Sequence, residues 1–471
     1  MSLKNLFQKK SVKTDLINNE TINTKRRNLV ETFKAGRLAE AAIAKCRSWI
    51  DIFGPRKVGS DAALSVADEI KEELALYCDF TDKQKFSIKP SAYIFWLKLI
   101  PFVYIIGLIF LLCGLPVTAL FFYGAYFYYV YMEFIKYKPI GEKYFKSEKG
   151  CNVHGVIEPK GEVLHTLLFS SHHDSALLPS TDRLDNKNYF KKVTLPLILF
   201  GASSLLIIVQ LFTEIFTGRF FALGFPPATS IVFIIILLSL SFFVFFLQHF
   251  FGDEASPGAG DNLISCATII QIARYYSWNK KNDRQLEHTR LIFCSFDGEE
   301  VGLRGSRAWF DKYPALLKDA TQINLDCLYK ADQLVFLDSD INGTQPLSSE
   351  LAQKGVKLAV GMGYKAKMHH MPFLSGGTDA AEGYRAGIRS ISLMALNFNN
   401  ITETFLHSKM DTVDNIEVKA IEQVISIAIK MAGAIDKGNL DDESFIFDEP
   451  MDDGEEKEKE LELTFSKLSR R

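Results

Sequence analysis

Apolar residues follow three patterns along this chain, and each pattern predicts a different kind of element. Two long apolar blocks, 99–132 and 193–247, interrupt a chain that otherwise alternates between short apolar runs and amphipathic stretches. The short runs, such as 291–296, have the length of buried strands, and stretches such as 262–276 are typical of helices. Strands that alternate with helices indicate a mostly parallel sheet with helices on both faces.

We therefore predict an α/β fold, in which a mixed, mostly parallel central sheet forms the middle of a three-layer α/β/α arrangement, plus four transmembrane helices in two inserted hairpins. The predicted parts are a basic mobile N-terminus (1–30), three pieces of one soluble domain (31–90, 139–190 and 252–438), two apolar hairpins (91–138 and 191–251) and a charged disordered tail (439–471).

The apolar blocks are read as membrane hairpins. The first contains no charged residue, and its 34 positions exceed one span of about 20 residues but fall slightly short of two. Gly114, Leu115 and Pro116 offer a turn near its middle. The second block contains two runs, 193–212 and 230–247, and each is long enough to cross a bilayer. A buried soluble hairpin is the alternative for the first block.

Composition narrows the class of protein. The 471 residues carry a formal net charge of −2, which gives no indication of nucleic-acid binding. The seven cysteines have no regular spacing and fit buried thiols. The first residues lack the apolar core of a signal peptide.

Near the other end of the chain, Asp414 with Glu417 three residues later predicts the start of a closing helix.

Acids and histidines stand where predicted strands end or helices begin. The set is His172-His173-Asp174, Asp261-Asn262, Glu299-Glu300, Asp326 and His407. Open α/β sheets build their sites at the carboxyl ends of the strands, so these side chains are expected to converge. The set contains no lysine or arginine, and a bound metal is the simplest compensation for its charge. Imidazole with carboxylate suits zinc, and one bridging carboxylate would allow two ions.

The motifs "SSHHDS", "GAGDN", "FDGEEVGLRGS", "NLDC" and "HSKMDTVDNIE" occur in this order. Together they resemble the M28 zinc peptidases, the co-catalytic aminopeptidase group, over 31–90, 152–180 and 252–437. The resemblance implies two zinc ions bridged by Asp261. It implies that His172 and Asp326 complete one ion site and that Glu300 and His407 complete the other.

The same resemblance implies the remaining catalytic roles. Glu299 would be the general base for the water between the metals, and Asp174 would orient the His172 ring. Asp379 matches an aspartate near the substrate pocket of the family. The sequence departs from the family at Leu406, where a tyrosine commonly donates to the oxyanion, and at Ala380, where histidine is common. The oxyanion donor is therefore expected to be absent or supplied elsewhere.

Each residue of the set also has an ordinary structural alternative. Asp261 could be only a helix N-cap, and Asp326 only a turn carboxylate at a strand end. The two histidines could be a strand-end and a loop residue, and the two glutamates could lie in a solvated loop. Asp411 and Asp414 are expected to be turn and helix-start residues.

The insertion between His172 and Asp261 sets the topology. These residues are 89 positions apart but must meet at one site, so the chain between them crosses the membrane an even number of times. Basic residues flank the helices on the side of the soluble domain: Lys98, Lys136, Lys138, Lys143, Arg183, Lys187, Lys191 and Lys192. The opposite loops offer Glu214 and Arg219. This asymmetry predicts a multi-pass protein of the cell membrane with a cytoplasmic catalytic domain.

The leading hypothesis is a membrane-anchored, dinuclear zinc peptidase, most simply an aminopeptidase. Its partners would be a peptide substrate and the lipid bilayer, with no nucleic acid, and its oligomeric state is open. One alternative is a glutaminyl-cyclase-like transferase, which resembles the same fold but uses one zinc. The other is a catalytically idle membrane scaffold or receptor.

Overall fold

The computed structural model of the chain describes residues 35–180, 186–218, 225–398, 405–438 and 440. The predicted N-terminal segment 1–30 and nearly all of the predicted tail 439–471 lie outside these ranges, as do Arg183 and Arg219.

Eight strands form one sheet, built from segments on both sides of each apolar block. In chain order they are β1 (Phe80–Ile88), β2 (Glu148–Ile157), β3 (His165–His172), β4 (Thr289–Phe296), β5 (Ala320–Leu328), β6 (Leu334–Leu337), β7 (Ala366–His369) and β8 (Arg389–Ala395). Their spatial order is β1-β2-β4-β3-β5-β8-β6-β7.

The centre of the sheet is parallel and its flanks are mixed. Strands β4, β3, β5 and β8 run parallel to one another, β1 and β2 add an antiparallel flank, and β6 runs antiparallel to β8. The predicted α/β fold with a mixed sheet is confirmed. Parallel strands require crossover helices, and the chain supplies one after β3 only once the second apolar block has been passed.

The α-helices of six or more described residues pack either on the sheet or, for the apolar helices, against one another. They are α1 (Ala35–Phe53), α2 (Asp61–Ala75), α3 (Phe95–Leu112), α4 (Pro116–Val130), α5 (Leu195–Phe216), α6 (Ala228–Ser239), α7 (Ile264–Lys281), α8 (Arg304–Lys312), α9 (Ser349–Gly361), α10 (Ala380–Arg385) and α11 (Val418–Asp436).

Alternation along the central strands separates two cores. Leu167 and Phe169 of β3 belong to the larger core, which α1, α2, α7, α9 and α11 cover. Leu168 belongs to a smaller core on the other face, against Trp309 and Phe310 of α8. Successive strand residues point to opposite faces, so the sheet lies between two helical layers.

The apolar helices pack against one another in a separate cluster. Hydrogen bonds join the two hairpins: the Tyr104 hydroxyl donates to the carbonyl of Leu237 at 2.8 Å, and the Gln210 amide donates to the carbonyl of Leu111 at 3.0 Å. Polar groups within apolar helices are satisfied most cheaply by neighbouring helices. The hairpins therefore form one bundle.

Among the described residues, two helices are long and apolar enough to cross a bilayer, Pro90–Leu112 and Lys187–Phe216. The pair Ala228–Ser239 and Ser241–His249, bent by 49°, makes a third if it is one span. The helix α4 has 15 residues and continues into a π-helical turn, Tyr131–Ile135. Four spans therefore remain a prediction.

The predicted start of the last helix was wrong. The helix α11 begins at Val418, and Asp414 lies in a preceding 3-10 turn, Val413–Asn415. The Glu417 carboxylate accepts a hydrogen bond from the backbone N–H of Ala331 at 2.9 Å instead of closing a capping box. A tertiary contact has displaced the local capping arrangement.

A buried arginine joins the segments that carry the candidate site. Arg56 is fully buried, and its guanidinium donates to four backbone carbonyls, those of Gly54, His173, Pro257 and Gly258, at 2.7–2.9 Å. Charged donors make strong hydrogen bonds. Arg56 thus fixes the end of β3 against the chain that returns from the second apolar block.

We expect Arg56→Met to lower the free energy of unfolding by about 3 kcal/mol or more, because buried carbonyls lose their charged donor. Thermal unfolding of the full chain in detergent measures the effect. The control is Arg47→Met, whose partner Asp414 is exposed and whose loss should cost less than about 1 kcal/mol. Equal shifts for the two variants would contradict the role given to Arg56.

Candidate metal centre

The site lies at the carboxyl ends of three neighbouring strands. His172 ends β3 and pairs in register with Phe296, which ends β4. Asp326 of β5 stands level with His172, because Ser170 and Asn324 are paired two residues earlier on parallel strands. The structure therefore brings His172, Asp326 and the turn after β4 to one edge, as open α/β sheets do with their functional groups.

Asp261 enters from the chain that returns from the second apolar block. It has an extended conformation, with φ −121°, in the turn before α7. The helix begins at Ile264, and its N-cap position is Leu263, so Asp261 is not the cap residue. Its Oδ1 lies 3.2 Å from His172 Nε2, and its Oδ2 lies 3.1 Å from His407 Nε2. The two oxygens of one carboxylate thus face two different imidazoles.

The two adjacent glutamates reach the same centre from the turn after β4. Gly298 makes this turn with φ +76°, a conformation that side chains rarely adopt. Glu300 Oε2 lies 3.3 Å from His407 Nε2, and Glu299 Oε2 lies 3.8 Å from His172 Nε2. Each glutamate therefore faces a different histidine.

Asp174 supports both the histidine and the glutamates. Its carboxylate accepts the backbone N–H groups of Glu299 and Glu300 at 3.2 and 3.1 Å. Its Oδ1 lies 3.4 Å from His172 Nδ1, and its backbone carbonyl lies 3.2 Å from the same nitrogen. His173 faces elsewhere, with Nδ1 2.8 Å from the Ser295 hydroxyl. One side chain thus orients two of the predicted site elements.

Sequence reasoning underestimated Asp411. We expected a turn residue, but its buried carboxylate accepts the backbone N–H groups of Gly260 and Asp261 at 2.7 and 3.2 Å. Asp411 and His407 belong to one loop, so this loop supplies both an imidazole and the support of Asp261. The spacing in "HSKMD" was a signal for this pairing, whereas nothing in the sequence indicated Arg56.

The electrostatics of the site favour a cation. Burial raises the pKa of Asp326 to about 7 and the pKa of Glu299 well above its usual range. Burial alone would lower the pKa of His172 and His407, but the surrounding carboxylates raise it well above the usual value. Burial alone would raise the pKa of Asp261, but the two imidazoles hold it below its usual range. Among the described residues, no lysine or arginine forms an ion pair with these carboxylates.

The donor atoms fit a metal. Three sets of three donors lie within 4.8 Å of one another: His172 with Asp261 and Asp326, His172 with Glu299 and Glu300, and Asp261 with Glu300 and His407. His172 Nε2 and Glu300 Oε1 are buried and make no hydrogen bond. Buried polar atoms without partners are costly. Nitrogen and oxygen donors at this density suit zinc.

Two other positions that the sequence analysis singled out, Asp379 and Leu406, belong to none of the three donor sets. Asp379 is fully buried, and burial raises its pKa to about 8, so a substrate-binding role stays a prediction without exposed surface to support it. Leu406 packs against the larger core. The position before His407 therefore provides no hydroxyl, as its sequence implied.

Comparisons with known proteins find one family model and several solved structures that are similar to the chain. The model of peptidase family M28 matches residues 243–432, which include Asp261, Glu299, Glu300, Asp326 and His407 but not His172. A search of curated protein sequences finds no match.

Solved structures of two kinds of protein are similar to the chain. A leucine aminopeptidase precursor from Bacteroides thetaiotaomicron is 14% identical, with 88% of this chain and 97% of that chain covered and a TM-score of 0.48. A zinc aminopeptidase from Bacillus subtilis is 13% identical, with 84% and 95% covered and a TM-score of 0.48. A glutaminyl cyclase from Bacteroides thetaiotaomicron is 14% identical, with 88% and 98% covered and a TM-score of 0.48. The match of the family model shows that residues 243–432 carry the sequence pattern of peptidase family M28.

Proposed function

We propose that the chain is a zinc-dependent M28-type peptidase, an aminopeptidase, that is anchored in the membrane by two apolar hairpins. The observation that carries the proposal is the position of Asp261. Its two carboxylate oxygens lie 3.2 and 3.1 Å from the Nε2 atoms of His172 and His407. A carboxylate between two sets of donors is the arrangement that bridges a pair of ions.

Four further donors would complete the two ion sites. His172 with Asp326 would hold one zinc ion, and Glu300 with His407 would hold the other. Zinc bound there supplies Lewis-acid polarisation of the substrate carbonyl and lowers the pKa of a water molecule. Asp174 and Asp411 do not enter the donor sets, but their hydrogen bonds hold the backbone of the donors in place.

Glu299 is the residue best placed to move a proton. It is adjacent to Glu300, is only 8% exposed and faces His172 across the site. In peptide hydrolysis the C–N bond breaks, and the hydroxyl of water bonds to the carbonyl carbon. Glu299 would accept the remaining proton and deliver it to the leaving amine. The His407 side chain is 38% exposed, so solvent reaches this side of the site.

The apolar helices give the proposed location. We propose four spans, with the sheet domain on the side where lysines flank the helix ends, the cytoplasmic side by the positive-inside rule. Two helices that meet the length and apolarity expected of spans, with a third from the bent pair, support this reading. The packing of both hairpins into one bundle also supports it.

Glu299→Gln should lower peptide turnover by about 10²–10⁴-fold, because the amide cannot accept the proton. The variant should keep its zinc, measured by elemental analysis of the purified chain. Its neighbour provides the matched control, since Glu300→Gln alters a proposed ligand and should lose zinc. Undiminished turnover in Glu299→Gln would refute the assignment, as would equal zinc loss in both variants.

Removal of metal should destabilise the fold. Zinc that binds the folded chain stabilises it by about 2.7 kcal/mol at a hundredfold excess over Kd. We expect a chelator to lower the midpoint of thermal unfolding and added zinc to restore it. Asp261→Asn should abolish the zinc effect, whereas Asp340→Asn, another buried carboxylate outside the donor sets, should retain it. A midpoint of thermal unfolding that does not change with zinc would count against the proposed zinc site.

A peptide with an N-terminal glutamine distinguishes the peptidase from a glutaminyl-cyclase-like enzyme. The peptidase releases free glutamine and a shorter peptide, whereas a cyclase releases ammonia and leaves a pyroglutamyl peptide of the same length. Mass spectrometry of the products separates these outcomes. We expect the shortened peptide, and accumulation of the pyroglutamyl product would favour the single-zinc alternative.

A further inference from the structure

Both apolar hairpins leave and rejoin the sheet domain at its catalytic edge. Ile88, the last residue of β1, is paired with Glu148, the first residue of β2, so the first hairpin departs and returns between two paired residues. The second hairpin departs and returns through a small ladder in which Leu177 pairs with Ala255. This ladder lies between His172 and Asp261 in the chain. All four connections are therefore at the edge that carries the donors.

The first hairpin is joined directly to the loop of the two glutamates. Arg304, four residues after Glu300, donates to Glu133 Oε1 at 2.9 Å, to Glu142 Oε1 at 2.5 Å and to the carbonyl of Tyr137 at 2.9 Å. Glu133 lies one turn after α4 and is fully buried. Losing one partner of a buried ion pair leaves an uncompensated buried charge, so such a pair resists separation. The end of the hairpin and the segment after the glutamate pair are thus joined by ion pairs.

Two tyrosines extend this contact on either side of the hairpin. Tyr93 and Tyr137 pack edge to face with ring centroids 5.6 Å apart. A side chain at Gly302 would come within 3.1 Å of the Tyr93 ring, and one at Gly377 within 3.0 Å of the Tyr137 ring. Gly302 follows the glutamate pair. The two ends of the first hairpin therefore pack beside the candidate site.

An exposed apolar loop is connected to the end of the first hairpin through Asn342. Phe373 and Leu374 are 69% and 57% exposed. Asn342 connects their loop to the hairpin: its backbone N–H donates to the Gly376 carbonyl at 2.6 Å, and its side chain donates to the Phe134 carbonyl at 3.2 Å. Large exposed apolar side chains beside a membrane helix are typical of groups that enter the interface.

The charge around this surface fits lipid headgroups. Lys136 and Lys138 lie at the end of the first hairpin, and Lys143 follows it. Tyr144 is 78% exposed, with the Lys143 ammonium 4.8 Å from its ring centroid. Basic and aromatic residues near helix ends favour the membrane–water interface. The occupant that these features fit is a bilayer surface.

We propose that the catalytic edge faces the bilayer surface and that the substrates are peptides whose free N-terminus emerges from the bilayer close to that surface. This rests on the proposed peptidase function and membrane anchoring. A peptide held in the same bilayer reaches the site at a high effective concentration. A soluble peptide must enter between the sheet domain and the membrane.

The test compares one unblocked peptide in two forms, with the full chain in nanodiscs of phosphatidylcholine and phosphatidylglycerol. One form is soluble, and the other carries a C-terminal acyl chain and a Gly/Ser spacer of increasing length. We expect kcat/KM for the anchored form with a short spacer to exceed that of the soluble form by at least about tenfold. The advantage should fall as the spacer lengthens.

Surface variants make the comparison specific. Phe373→Ser with Leu374→Asn should lower the ratio of anchored to soluble turnover, and asparagine tolerates the left-handed φ of +64° at position 374. The control is Phe80→Ser with Leu164→Asn, because these residues are 58% and 49% exposed where β1 and β3 begin, at the opposite edge. The control should keep the ratio.

A second measurement is independent of catalysis. Tryptophan fluorescence of Phe373→Trp should be quenched by brominated lipid beyond the quenching of the parent chain, and that of Phe80→Trp should not. Equal turnover of soluble and anchored peptides, or equal quenching at the two edges, would overturn the proposed orientation. If neither peptide is cleaved while position 373 is quenched, the peptidase proposal fails and the substrate inference with it, but the surface contact stands.

Discussion

The mutual repulsion of buried carboxylates at one edge of the sheet is the constraint on which this structure depends. Asp261, Glu299, Glu300 and Asp326 are gathered with two histidines, and within the described residues no lysine or arginine pairs with them. Unpaired buried charge is costly, so the fold needs both a cation and a rigid frame. The frame is built from the backbone: Asp174 holds the turn of the glutamates, Asp411 holds Asp261, and Arg56 fixes the segments on either side.

The sequence allowed the donors and the central strands to be predicted because their signals are local or ordered. The strand Thr289–Phe296 contains the apolar run 291–296, and the ordered motifs supply five donor residues that the structure brings within a few ångströms of one another. The strand ends converge because parallel strands share a carboxyl edge. The metal-binding and catalytic roles of the individual residues stay predictions. The proximity of these residues in the structure does not depend on which roles they have.

What the sequence could not indicate is mostly long-range hydrogen bonding. Arg56 lies in an ordinary turn motif, and its acceptors are as far away as Gly258. The same holds for Arg304 and Glu133, which lie 171 positions apart with the strands β2, β3 and β4 between them in the chain. The predicted start of the last helix was wrong for a related reason, because the Glu417 carboxylate accepts a hydrogen bond from the backbone N–H of Ala331 and does not form a local cap. Tertiary contacts of this kind leave no periodicity in the chain.

The hairpins are therefore more than attachments to a finished domain. Ion pairs, aromatic packing and paired strands tie the first hairpin to the edge that gathers the acids, and a small ladder joins the second hairpin to the chain between His172 and Asp261. If the apolar helices span a membrane as proposed, these contacts link the geometry of the site to the position of the chain at that membrane.

The central claim is that the acids form a two-ion centre shared through Asp261. Anomalous scattering from crystals of the zinc-loaded chain, recorded at the zinc absorption edge, tests it most directly. The account predicts two peaks about 3.5–4 Å apart, one on each side of the Asp261 carboxylate. A single peak at the carboxyl edge of the sheet would contradict the account, as would peaks that do not contact Asp261.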